Sequence, residues 1–418
     1  MKANRIFTNT ATALFVSLVS PAINTSPAAK YRIESIDIVR GLVMLIMAID
    51  HCRDFLLAHH PDPTNLATTT PVLFFTRWIT HFCAPTFVFL SGISAFLAGK
   101  KRTTAQLSSF LLTRGLWLLL VELIIITFAL TLDPFYNAII FQVIWAIGGS
   151  MIILGLLVRL KASPMVIGAI GLVIFLAHNL IDVVSFGPVS KTFTWHLLLA
   201  AKGFSDFWPL STTRGLLIPY ALLPWAGVML AGYAFGTVYD SSFDAGRRRK
   251  ILKRAGFALL AIFMVFRIFN IYGDPAPWSV QKTVSMSIVS FFNVTKYPCS
   301  LLYLSMTLGT SLLLLALTEN AKNRFTRALI VYGNVPFFYY ICHFYLIRAI
   351  NVILFFATGY NSSQIESATQ HPFQPDALGF NLFGLYITWL FVIVALYFPC
   401  RWYGQYKKTH RYWWLSYI

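Results

Sequence analysis

Charge is what this chain has least of. Only 11% of its 418 residues are Asp, Glu, Lys or Arg, against roughly 25% in a soluble domain, and that excludes a water-soluble globule of this length. Acidic residues are the scarcer sign, with 15 Asp and Glu against 33 Lys and Arg. Cysteine is scarce too. The five (Cys52, Cys83, Cys299, Cys342, Cys400) show no metal or disulfide spacing and read as small, buried, reduced side chains. The chain has no Gly-x-Ser-x-Gly elbow, HExxH, paired CxxC or glycine-rich nucleotide loop. Those absences remove the chemistries that such motifs carry, and no metal is expected.

What is present is apolar sequence. Hydrophobic residues make up 57% and aromatic ones 16%. They gather in about ten runs near 20 residues, the length that crosses a bilayer as a helix. Spans are expected over 36–58, 74–98, 110–131, 138–158, 164–184, 215–238, 255–272, 297–317, 328–350 and 380–399. The expected fold class is an all-α integral membrane protein, a bundle of about ten transmembrane helices. The stretch Thr283 to Thr295 is half apolar and too short to cross, so a short interfacial or re-entrant helix is expected there.

The net charge of +18 sits in short clusters: Lys100-Lys101-Arg102, Arg159 with Lys161, Arg247 to Lys250, Lys322 with Arg324 and Arg327, and Arg401 with Lys407-Lys408. They fall in every second loop. Cytoplasmic loops are enriched in Lys and Arg, so the alternation places both termini in the cytoplasm. The charge orients the chain and meets membrane lipids; no nucleic acid partner is expected. The division expected is an N-terminal extension over 1–31 (signal-like, or an overlong start), a helical bundle over 32–400, and a basic, aromatic cytoplasmic tail over 401–418.

Ionisable residues inside spans are the informative ones, because each must be paired, neutralised or hydrated. Asp37, Arg40, Met44, Met47, His51 and Asp54 follow steps of three and four and form one stripe on the first span, with Asp50 and Arg53 beside it. His51 lies about 16 Å past Arg40 along the helix axis. One polar residue in a span is ordinarily a satisfied core residue; a stripe with Asp, Arg, His and Asp reads as a functional face. In the second span Arg77 and His81 stand one turn apart, where function and simple interfacial anchoring weigh evenly. Between the two spans lie His59, His60 and Asp62, of the kind that usually does nothing in an exposed loop. In the ninth span Gly333-Asn334-Val335-Pro336 precedes Tyr339, Tyr340 and His343; Pro336 should kink the helix. Glu122, the pair His178 and Asp182, and Lys296 are weaker candidates.

This set suits acyl transfer. A histidine serves as general base on a hydroxyl or amine, or carries an acyl group itself. A carboxylate one turn away orients it, and arginine fixes an anionic donor. Residue types alone equally permit a proton relay in a transporter.

Several sets of residues resemble a known family. Ser35-Ile36-Asp37-Ile38-Val39-Arg40-Gly41 and Ala84-Pro85-Thr86-Phe87-Val88-Phe89-Leu90-Ser91-Gly92 are similar to the catalytic region of heparan-α-glucosaminide N-acetyltransferase, more closely to its bacterial branch. Asn293 to Pro298, Gly333 to His343, and Pro399 to Tyr403 with Trp413 to Tyr417 extend the likeness from about residue 32 to the end. Arg40, ten residues and then His51 resembles the signature of the wider transmembrane acyltransferase superfamily. The resemblance implies transfer of an acetyl group from cytosolic acetyl-CoA to a sugar at the other face, in a bacterial inner membrane. There are departures. The heparan enzymes have Asn at the place of His51 and an acidic residue at that of His81, and their catalytic histidine falls nearest to His59, His60 or Asp62.

The expectation is thus a membrane acyltransferase using acetyl-CoA, with an envelope sugar as acceptor. His51 is the expected base or acyl carrier, Asp50 or Asp54 orients it, and His81 and His343 complete the pocket. Asp37, Arg40 and Arg114 are placed on the donor side. A proton-coupled transporter or flippase for a lipid-linked sugar is the alternative, and both a monomer and a homodimer remain open.

Overall fold

The computed structural model describes residues 33–184, 186–200, 207–365, 372–410 and 412–416. The expected extension over 1–31 lies outside them. The elements, in chain order, are α1 (Glu34–Leu56), α2 (Pro71–Trp78), α3 (Cys83–Gly99), α4 (Thr104–Val121), α5 (Thr127–Thr131), β1 (Ala138–Ile140), α6 (Val143–Arg159), α7 (Pro164–Ala177), α8 (Phe193–Leu198), β2 (Phe207–Pro209), β3 (Gly215–Leu217), α9 (Leu222–Phe235), α10 (Ala245–Phe269), α11 (Val284–Phe292), α12 (Leu301–Thr318), α13 (Arg324–Gly333), α14 (Pro336–Ala357) and α15 (Leu382–Thr409).

Among the described residues, seven helical stretches are long and apolar enough to cross a membrane: Pro71–Gly99, Thr104–Thr131, Pro164–Asp182, Leu222–Tyr239, Leu301–Thr318, Pro336–Ala357 and Leu382–Thr409. The chain is therefore a mostly helical, multi-pass membrane protein. The other three expected spans are also helical, each with a reason for falling short. The α6 helix has 17 residues, α1 carries the charged stripe, and α10 opens on Arg247-Arg248-Arg249-Lys250.

Several boundaries differ from the sequence reading. The runs 138–158 and 215–238 each begin as a strand rather than a helix. Ala138–Ile140 pairs in parallel with Gly215–Leu217, which pairs antiparallel with Phe207–Pro209. Apolar strand and apolar helix join without a change in composition, so hydropathy alone hides the boundary. Pro219 offered a local signal, since the residue before proline is driven away from the helical region. The span expected over 328–350 is two helices, not one kinked helix. The α13 helix stops at Gly333, and Pro336 opens α14, where its missing N–H costs nothing. The short helix expected between Thr283 and Thr295 is α11, nine residues capped by the Thr283 hydroxyl.

Helix α1 is central, packing on α3, α12, α13, α14 and α15. Its crossing with α13 is the closest approach, and two glycines permit it. A Cβ at Gly41 would strike the Leu329 carbonyl, and one at Gly333 the Asp37 carbonyl. The basic end of the bundle is tied by ion pairs. Arg248 donates to Glu319 through Nε at 2.7 Å and also through Nη2, and Ser35 reaches the same carboxylate. Lys100 donates to Asp240 and holds that carboxyl below its usual range. The opposite end carries the three strands, α11 and the long connections, including the cis Tyr297–Pro298 bond.

Gly333→Ala should cost about 1–3 kcal/mol, because the methyl meets backbone that cannot rotate away. Thermal stability in detergent, followed by size-exclusion fluorescence, should fall for this variant. It should not fall for Gly246→Ala, whose methyl meets only the Asp244 side chain.

Candidate active site

The last two turns of α1 carry Asp50, His51, Arg53 and Asp54 on different sides of the helix. Asp50 faces α2 and the segment ahead of α12. Its carboxylate lies 2.7 Å from Arg53, 2.6 Å from Arg77 and 3.9 Å from Lys296. Arg77 also donates to the Thr80 hydroxyl at 3.1 Å. Three cations share this carboxylate, and it also acts on the adjacent His51 through space. Asp54 is the acidic neighbour of that histidine, its oxygen 4.0 Å from His51 Nδ1. Asp54 in turn accepts from Arg53 at 2.5 Å.

His51 is held by rings. Its centroid lies 4.1 Å from that of Phe344 and 5.1 Å from that of His343. His343 is fully buried; its Nδ1 sits 3.1 Å from the Tyr339 carbonyl, and its Nε2 meets no partner among the described residues. It packs against His51, behind the residues that line the cavity. His81, 2% exposed, packs its ring against Tyr303, whose hydroxyl donates to the His81 carbonyl at 2.9 Å.

These groups border a cavity of about 1160 Å³ at the end away from the basic clusters. His51, Asp54, Arg77, His81 and Lys296 line it, with Tyr297 and Tyr340 among its aromatic walls and Gln142, Thr213 and Asn293 among its polar ones. His60 and Asp62 reach its mouth. The turn that brings them there places His59 and His60 consecutively at positive φ. It is pinned by backbone bonds from Ala58 to Phe380 and from His59 to Asp376. His59 itself points outward to Asp376 at 2.9 Å.

Two supports of the cavity were not singled out from the sequence. Arg267, 1% exposed, donates to the carbonyls of Ala276, Ser290, Phe291 and Asn293 at 2.7–2.9 Å. Asp274 accepts from the Thr295 amide and hydroxyl and from Ser300. Together they set the segment that carries Asn293, Thr295 and Lys296. The available signal was a lone charge inside the apolar run 255–272. Glu122 proves to be a helix cap, accepting from the Gln142 and Trp145 amides at 2.8 and 3.0 Å, which presents Gln142 to the cavity. His178 bonds the Cys299 carbonyl and Asp182 the Asn179 amide, so those two residues do not bond each other.

The donor-side candidates lie elsewhere. Asp37 and Arg40 pair at 3.3 Å, and Arg40 also donates to the Gly333 carbonyl and the Ser94 hydroxyl. Arg114 sits over the Phe110 ring. Arg40 and Arg114 are both near enough to Lys407 to act on it electrostatically. None of Asp37, Arg40 and Arg114 lines the cavity. Among the described residues, no group of three His, Cys, Asp or Glu could hold a metal ion.

Fold and site together define a multi-pass helical membrane protein with a polar, histidine-bearing cavity sunk into one end. The family described as heparan-alpha-glucosaminide N-acetyltransferase, catalytic, matches residues 32–268, more than half of the chain, and the chain belongs to that family of membrane acetyltransferases. The match takes in α1 to α10 and so His51 and His81; Lys296, His343 and the C-terminal likeness lie beyond it. No curated protein matches the chain significantly.

Asp50→Asn should cost about 3–5 kcal/mol, since it strips the carboxylate from buried cations. Asp50→Asn/Arg77→Met should regain part of that loss. A thermal-melt double-mutant cycle checks this, and strictly additive losses would mean that the two groups do not depend on each other.

Proposed function

We propose that the protein moves an acetyl group from acetyl-CoA, bound at the basic face, to a hydroxyl or amine of a cell-envelope sugar held in the cavity at the opposite face. The observation carrying this reading is that His51 and His81 line one sugar-sized cavity, with a carboxylate 4.0 Å from His51. A volume near 1160 Å³ is somewhat above the range of small-molecule sites, roughly 300–1,000 Å³, and leaves room for a sugar beside the acyl end of a donor.

His51 takes the proton from the acceptor hydroxyl or amine as it attacks the thioester carbon; the C–S bond breaks, and the imidazolium returns the proton to the departing CoA thiolate. Asp54 stabilises the imidazolium that results, and His343 and Phe344 restrict the ring. His81 stands ready from α2's end of the cavity to hold the acceptor. At the other end, Arg40, Arg114 and Lys407 match the phosphates of a nucleotide thioester, and Asp37 restrains Arg40. The topology that goes with this reading has all ten helical stretches crossing a bacterial inner membrane, with both termini cytoplasmic. Residues 32–400 form the bundle, 1–31 precede it and 401–418 are its tail.

Radiolabelled acetyl transfer from acetyl-CoA to glucosamine by purified protein tests the site. His51→Ala should lose about 100-fold or more in rate, the scale of general-base catalysis; full activity in a monodisperse variant would remove His51 from the mechanism. For the donor, Arg114→Ala should weaken acetyl-CoA binding by calorimetry about tenfold, as expected for one lost charge-assisted phosphate contact. Unchanged affinity would place the phosphates elsewhere.

A further inference from the structure

The connected charges deep in the cavity do not balance, although Asp62 at its mouth brings the lining as a whole to three cations and three carboxylates. Arg53, Arg77 and Lys296 supply three cations within one connected group, and Asp50 and Asp54 supply two carboxylates. The side chains of Arg53, Arg77, Lys296 and Asp50 are 9–11% exposed, so bulk water does little to screen them. Asp62, the other carboxylate on the cavity, is exposed at its mouth and accepts from the Thr64 amide and hydroxyl. Glu122 is committed to two backbone amides.

The surplus can be assigned to an atom. Both arginines reach a carboxylate at 2.7 Å or closer. Lys296 comes no nearer than 3.9 Å to Asp50, and its ammonium is 5.1 Å from the Tyr297 ring centroid. It donates no hydrogen bond to a described residue, and it lines the cavity. Its position is held from behind, because Arg267 and Asp274 fix Asn293 and Thr295 ahead of it and Asp274 fixes Ser300 after it. A largely buried ammonium that donates no hydrogen bond to a described residue, has its one carboxylate at 3.9 Å and sits in the wall of a cavity is suited to receive an anion.

Resting on the reading of this cavity as the acceptor site, we infer that its acceptor is a sugar bearing an acid group, carboxylate or phosphate, which Lys296 receives. The hydroxyl and amide groups of Thr213, Gln142 and Asn293 then meet the sugar's hydroxyls, and Tyr297 and Tyr340 offer faces for its ring. The charge-assisted contact is roughly twice as strong as a neutral one, so it separates acidic from neutral sugars.

The test needs no donor and no turnover. Binding of glucuronate, glucosamine 6-phosphate and glucose to the purified protein is measured by calorimetry, alone and in excess chloride. The wild type should bind at least one of the two acidic sugars about tenfold or more tighter than glucose, and which one it prefers tells a carboxylate source from a phosphate source. Lys296→Met should abolish the preference, and Lys296→Arg should restore most of it, which separates loss of charge from loss of fold. Equal binding of acidic and neutral sugars by the wild type, a preference surviving in Lys296→Met, or full displacement by chloride would each overturn the inference. Acetyl transfer is read separately: a charge preference without transfer would remove the acyltransferase reading and leave the anion receptor standing.

Discussion

A single carboxylate inside the bundle holds the site together. Asp50 would be costly in a membrane interior were it not shared among cations, and its partners come from three pieces of chain. Arg53 is one turn along α1, Arg77 lies on α2, and Lys296 lies in the segment that leads into α12. The end of one helix, the start of the next hairpin arm and a connection more than 200 residues further on are thereby tied to one point. The same hub explains why a cavity exists at all. Apolar walls would close on each other, whereas charged and amide-bearing walls are held apart by bonds that run behind them. Arg267 and Asp274 do this for one wall, and Glu122 does it for another through Gln142.

Helix α1 links the two ends of the molecule. At its basic end Arg40 is braced by Asp37, Ser94 and Gly333; at the other end His51 is braced by two rings. The tight glycine crossing with α13 fixes its height in the bundle. With donor and acceptor on opposite faces, as proposed, one rigid element must reach both, and this helix carries ionisable groups toward each end. The break between α13 and α14 serves the same arrangement. It frees the Gly333 carbonyl for Arg40 and lets α14 set off again with His343 directed at His51.

Much of the fold was legible because it rests on local signals. Apolar runs of span length located the helices, basic clusters marked one end, and spacing of three and four put Asp37, Arg40, His51 and Asp54 on one face. Misread boundaries share a cause: at 138–140 and 215–217 the strands are as apolar as the helices that follow, and they pair with each other across a long stretch of sequence. The site was legible in part. His51, Asp54 and His81 stood out as ionisable groups in apolar surroundings, and they line the cavity. Asp50 stood out as well, yet its tie to Arg77 and Lys296 depends on how α2 and the 293–300 segment return to α1. Arg267 drew no notice because its four partners are main-chain carbonyls, which carry no signature in a sequence.

By itself the sequence determined that this is a helical membrane protein, which end is basic, and which helix face carries the ionisable groups. These follow from hydropathy, loop charge and helical period, all properties of neighbouring residues. Only the tertiary structure decided that Asp50 is shared among three cations, that His343 packs against the His51 ring, and that the Lys296 ammonium faces a cavity. Those outcomes depend on which charges meet across the bundle. In a low-dielectric interior that meeting, not residue type, settles whether a charge is spent on structure or left for a ligand.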